Sequence, residues 1–166
     1  MRPPLTADER TQLIGWLDHQ RSLVRPKCEG LSEIDAHRKL LPTSPLTTVA
    51  GLVAHLRWVE YSWFHFNLAG VPDTGQTPWT KDGHVDAEMF VDDVPLAQLL
   101  DEYDAECARS NEIVAGFSLD DVERAVVRDA GAASVRYILC HMIEETARHL
   151  GHLDIIRELL DGATGD

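Results

Sequence analysis

Apolar residues recur at intervals of three and four in four stretches of the chain, and each stretch predicts an amphipathic helix. Leu13, Ile14, Leu17, Leu23 and Val24 mark the first, which opens at a Thr6-Ala-Asp-Glu9 capping box and runs to about Cys28. Val49, Leu52, Val53, Leu56 and Val59 mark the second, with Ser44 or Thr47 as its cap and Gly70-Val-Pro72 closing it after about Leu68. Leu96, Leu99, Leu100, Tyr103, Cys107 and Val114 mark the third, which ends near Gly116. The fourth runs from about Ser134 to Asp161, with Gly162 placed as its C-cap. Between them, 29–45 is broken by Gly30, Pro42 and Pro45, and 70–95 has no sustained period, an unusual length for a loop in a small domain. The polar stretch 117–133 predicts at most a short turn or strand at Arg124 to Arg128. The pattern as a whole predicts an all-α fold, a four-helix bundle with long crossover loops, as one domain over 1–166.

The fourth helix interrupts its own pattern. Positions 138, 142, 145, 149, 152 and 156 alternate by three and four, the spacing of a buried seam, yet Glu145, His149 and His152 stand where aliphatic side chains are expected. A buried carboxylate or imidazole is costly unless it is paired or binds a metal. Glu145 and His149 lie one turn apart on the same side, so both can reach one ion, and such a site needs at least one more protein ligand. His55 is the best third candidate, because it sits between Leu52 and Val59 on the apolar face of the second helix. Taken alone it reads equally as a hydrogen-bonded core histidine.

Composition narrows the possibilities. In 166 residues, 15 Lys and Arg stand against 28 Asp and Glu, a formal charge of −13 that repels phosphate backbones and anionic lipid, so neither nucleic acid nor membrane is an expected partner. The N-terminal residues lack a signal-peptide core, and no apolar run approaches the roughly 20 residues of a membrane span, which predicts a cytoplasmic protein. Three cysteines, Cys28, Cys107 and Cys140, are widely spaced without a CxxC pair and predict mostly packed thiols rather than a disulfide framework.

Leu-Val-Ala-His55-Leu-Arg-Trp-Val-Glu60, taken with His141-x3-Glu145-x3-His149-x2-His152, resembles the DinB/YfiT-like metalloenzyme superfamily, whose order of helices matches along nearly the whole chain. That superfamily includes the mycothiol-dependent maleylpyruvate isomerase, which has glutamate at the position of Glu145, and the bacillithiol S-transferases. The resemblance implies a four-helix bundle with a divalent metal, zinc or else nickel, held by His55, Glu145 and His149. It also implies a low-molecular-weight thiol as a second cofactor. His152 is a candidate to orient a ligand or carry a proton, and Tyr61 to serve as acid or base; a hydrogen-bonded core histidine and a core aromatic are the plainer readings of the same residues. His141 can support the fold or replace a ligand, Arg57 and Arg148 can face a pocket or pair with surface acids, and His84 and Trp79 can close over the metal or lie exposed.

Three functions follow. In the first, the metal activates the thiol for transfer to, or isomerisation of, a small electrophilic substrate. In the second, water replaces the thiol and the site is a small-molecule hydrolase. In the third the ion is structural or stress-related, with the bundle noncatalytic. The apolar faces of the outer helices offer a surface for a homodimer.

Overall fold

The chain, taken from a computed structural model that describes residues 2–75, 77–79, 83–125 and 131–164, places helices where the three-four spacing predicts them. Helix α1 spans Glu9–Cys28. Its cap is Asp8 rather than the Thr6 capping box, since the Asp8 carboxylate accepts from the Thr11 amide at 3.0 Å and from the Thr11 hydroxyl at 2.7 Å. Both residue types cap well, and the ionised carboxylate is the stronger acceptor at the positive end of a helix. Helix α1 buries Leu17, Arg21, Val24 and Cys28.

A short helix α2, Glu33–Ala36, occupies part of the stretch read as irregular from its prolines. Ser32 caps it, and His37 behind it bonds through Nε2 to the carbonyls of Val91 and Val94, both at 3.1 Å. Helix α3, Val49–Glu60, is capped one residue beyond the expected Thr47, by Thr48, whose hydroxyl accepts from the Gly51 amide at 2.9 Å. The helix continues to Leu68 as expected, but its last part, Tyr61–Leu68, is wound as a π-helix. Gly70 follows with φ +67, and a Cβ there would stand 2.8 Å from the Arg124 Cβ, so this turn and close approach both require glycine.

Helix α4, Leu96–Ala115, and helix α5, Val135–Asp161, match their predicted bounds, with Ser134 as N-cap and Gly162 left-handed at the C-cap of α5. Before α5 the backbone of Val122 pairs antiparallel with Ser134. The short strand expected at Arg124 to Arg128 is therefore displaced towards the N-terminus to one bridge, and its residues 126–128 lie outside the described residues.

Helix α1 packs chiefly on α5, and α3 packs chiefly on α4 while also reaching α5. One apolar cluster joins Leu52, Val53 and Leu56 of α3 to Leu99, Leu100 and Tyr103 of α4 and Leu150 and Leu153 of α5. A second joins Leu17, Phe64 and Leu68 to Ile138, Leu139 and Met142. The fold is all-α, and its four long helical segments form the bundle. Among the described residues no helix is long and apolar enough to cross a membrane.

Candidate metal centre

Helix α5 buries Val135, Ile138, Leu139, Met142, Thr146, Leu150, Leu153 and Ile156. This buried line differs from the seam expected from spacing. Glu145 and His149 stand beside it, with 12% and 14% of their side-chain surface exposed, and His152 is fully on the outside. Thr146 and Leu150 take the core positions instead, and the Thr146 hydroxyl is satisfied by the Met142 carbonyl at 2.8 Å. The polar residues therefore line the rim of the core, where the desolvation penalty is smaller and a ligand has access.

Helix α3 sets His55 on its flank in the same way, between the buried Ala54 and Leu56, with 21% of its side chain exposed. Packing of α3 against α5 brings His55 Nε2 to 3.4 Å from Glu145 Oε1, and His149 Nε2 lies 3.0 Å from the same oxygen. The two imidazole rings meet edge to face at 4.7 Å. One donor atom from each of the three residues lies within 4.8 Å of the others. Tetrahedral zinc with bonds of ~2.1 Å sets its ligand atoms about 3.4 Å apart, so these side chains need only small adjustments to hold a divalent ion.

Each ligand candidate is held from behind. His55 Nδ1 lies 2.9 Å from Glu88 Oε1, and Glu88 is buried at 6% exposure on a single 3-10 turn, Ala87–Met89, in the long connection between α3 and α4. With the Nδ1 proton donated to Glu88, the Nε2 lone pair of His55 is turned towards Glu145 and His149. His149 Nδ1 is 3.3 Å from His152 Nδ1, a contact in which one nitrogen carries the proton. The second Glu145 oxygen accepts from Arg148 at 3.2 Å, and Arg148 also pairs with Glu144.

Electrostatics divide the three residues. Burial disfavours the charge on His55, but the hydrogen bonds to Glu88 and Glu145 outweigh it and hold this imidazole above its ordinary value. Burial also works against the Glu145 carboxylate, yet the neighbouring His149 and His55 keep it below the usual range. His149 is lowered, first by burial and then by the charge on His55, so it is the imidazole more readily neutral and free to bind metal.

The remaining histidines and aromatics singled out from sequence make their contacts outside this cluster. His141 packs on Trp63 at 4.5 Å and stacks with Tyr137. Tyr61 begins the π-helix and contacts the rings of Trp58 at 5.5 Å and His65 at 5.1 Å. His65 is buried 3.1 Å from Glu106 of α4, at an angle that falls outside hydrogen-bond geometry. In the long connection, His84 accepts from the Asp86 amide and packs on Phe90, while Trp79 stands 5.5 Å from Trp58. Trp58, Val59, Ser62, Trp63, Trp79 and Glu88 line a hollow of about 190 Å³. Glu88 was not legible from sequence. It belongs to no periodic stretch, and its only signal is an acid between Ala87 and Met89 in a loop otherwise rich in exposed polar residues.

A family model described as Mycothiol-S-transferase matches residues 12–162 of the chain. No curated protein and no solved structure matches the chain. The matched span runs from the first turns of α1 to the C-cap of α5 and so includes every helix of the bundle and all three members of the His-Glu-His cluster. The chain belongs to the mycothiol S-transferase family, within the DinB/YfiT-like group of all-helical proteins.

Proposed function

We propose that the protein is a divalent-metal-dependent enzyme that activates a low-molecular-weight thiol, of which mycothiol is the one its family name indicates, for transfer to or isomerisation of a small electrophile. The observation that carries this reading is the convergence of His55, Glu145 and His149 from two helices, with their donor atoms within 4.8 Å of one another. Three protein ligands leave at least one position of a tetrahedral ion for a substrate. Zinc suits two imidazoles and a carboxylate, and nickel is accommodated by the same donors. An ion in this position would bind a thiol sulfur and favour the thiolate at neutral pH.

The chain's own residues supply the rest. Glu88 fixes the tautomer and orientation of His55, and Arg148 holds the second oxygen of Glu145. His152 takes the thiol proton to solvent, a role supported by its exposure and its contact with His149. Tyr61 is a second proton-carrier candidate, in edge contact with the Trp58 ring. The thiolate then attacks an electrophilic carbon, a C–S bond forms, and the leaving group departs with its electron pair.

The test is turnover of monochlorobimane by protein purified without chelator and of known metal content, with and without mycothiol. Displacement of chloride yields a fluorescent thioether. Release that requires both thiol and metal and is lost in His149→Ala supports the reading. Substrate consumption that ignores thiol and uses water supports a hydrolase instead. Full metal occupancy with four protein ligands and no turnover supports a structural ion.

A further inference from the structure

The long connection that delivers Glu88 to His55 also walls a second crevice, of about 290 Å³, on the other side of that carboxylate. Arg57 and Trp58 of α3 form one wall, Phe90, Val91 and Val94 of the connection a second, and Gln98, Leu99 and Glu102 of α4 a third. Arg57, like Arg2, Arg10, Arg109 and Arg124, has no carboxylate partner among the described residues, and like Arg124 it rests on an aromatic ring. Arg21, Arg25, Arg38, Arg136, Arg148 and Arg157 each pair with at least one carboxylate. The Arg57 guanidinium lies 3.7 Å over the Trp58 ring, has no ion pair among the described residues, and its Nε is buried without a hydrogen-bond partner. This half-buried guanidinium lines the crevice and its charge also acts on Glu106 of α4, but its terminal nitrogens have no hydrogen-bond partner among the described residues and are the groups open to an acceptor in the crevice.

We infer that this crevice binds the carboxylate of a small, largely apolar or aromatic acid, with Arg57 pairing the anion and Trp58, Phe90 and Leu99 packing on the body; the Gln98 amide, which donates to Glu102 at 2.8 Å, borders the site. Chemistry favours this class over a phosphate. Glu88 and Glu102 border the crevice, so its field opposes a doubly charged ligand, while one planar carboxylate matches one planar guanidinium held flat on an indole. Ala54, Pro78, Ala87, Val91 and Val94 add apolar surface to the lining. The site stands apart from the metal cluster, from which Glu88 separates it, and its binding requires neither metal nor thiol.

The probe is benzoate, with benzamide as the uncharged shape match, titrated into the ¹⁵N-labelled full chain and followed by NMR. Benzoate is expected to shift the Trp58 indole and Gln98 side-chain amide resonances saturably, with benzamide about tenfold or more weaker, the loss of one charge-assisted pair. Arg57→Gln is expected to lose the same factor, and Arg57→Lys to retain part of it, because a point charge replaces the planar fork. Equal binding of benzamide by the unaltered protein, undiminished binding in a folded Arg57→Gln variant, or silence of the Trp58 and Gln98 resonances would each overturn the inference. The comparison of benzoate with benzamide needs no variant, so a failure of Arg57→Gln to fold leaves it decisive. Metal content, measured on the same samples, separates this outcome from any failure of the thiol-transfer reading.

Discussion

Glu88 shows what a single side chain must do to make a metal ligand out of a histidine. One of its oxygens takes the Nδ1 side of His55, and the other is buried with no hydrogen-bond partner among the described residues, so the His55 contact is the one described there that fixes the carboxylate. Replacing it by Gln keeps the shape but removes the charge that orients the ring and raises its basicity. Partners of this kind are typically worth about 10- to 100-fold in metal affinity, so Glu88→Gln should weaken zinc binding by that factor while His149→Ala abolishes stoichiometric binding, as read by competition with a chromophoric chelator. Unchanged affinity in Glu88→Gln would mean that His55 is held by packing alone. The cysteines give a second prediction at this scale. Burial pushes the Cys28 thiol up to about 12 and raises Cys107 further, whereas Cys140 is exposed. A raised thiol pKa leaves almost no thiolate at pH 8, so a colorimetric thiol titration should find one reactive cysteine in the native protein and all three in denaturant.

At the scale of the element, the join between α3 and its π-wound continuation carries a buried ion pair. Arg21 of α1 donates to both oxygens of Glu60, at 2.8 and 2.6 Å, and also bonds Asp18 and Asn111, so the last α-helical residue of α3 is anchored to α1 where the winding changes. Wide π-turns interrupt the regular hydrogen-bond ladder and persist where the surroundings impose them. Breaking such a pair from one side leaves a buried charge, so Arg21→Met should cost ~3–5 kcal/mol in urea unfolding, and Arg21→Met with Glu60→Leu should recover much of the loss. No recovery would show that the remaining Arg21 contacts matter more than Glu60. The same join marks a limit of the sequence. Spacing placed a continuous helix to Leu68, and the end is correct, because Phe64 and Leu68 bury whichever way the chain is wound. The winding itself depends on tertiary partners such as Arg21 and on the tie of Asn67 to the Arg124 and Ala125 amides, which no local period encodes. Caps Asp8 and Thr48 differ from the expected ones for a related reason, since neighbouring Ser, Thr and Asp residues compete with nearly equal intrinsic preference.

For the whole molecule, the cluster is a product of assembly. His55 and Glu145 are 90 residues apart in the chain, and Glu88 stands 33 residues from His55, so an ion held there would tie α3, α5 and the long connection into one unit. The i, i+4 pair on α5 and the lone histidine on α3 were visible as residue types at helical spacing, but their meeting follows from α3 lying against α5, which an amphipathic pattern permits without specifying. That pattern also placed the pair one position too deep, because charged and apolar residues share the rim of a bundle. A ligand bound only by the folded state stabilises it in proportion to RT ln(1 + [L]/Kd), about 2.7 kcal/mol at a free concentration 100 times Kd. For a domain of 150–250 residues each kcal/mol shifts Tm by ~2–4 °C. Adding zinc at that excess to chelator-treated protein should therefore raise Tm by roughly 5–11 °C in calorimetry, and the rise should vanish in His55→Ala and in His149→Ala. If the variants keep the shift, the ion binds elsewhere. If the intact protein shows none, the three side chains form a hydrogen-bonded cluster that closes the rim of the bundle without metal.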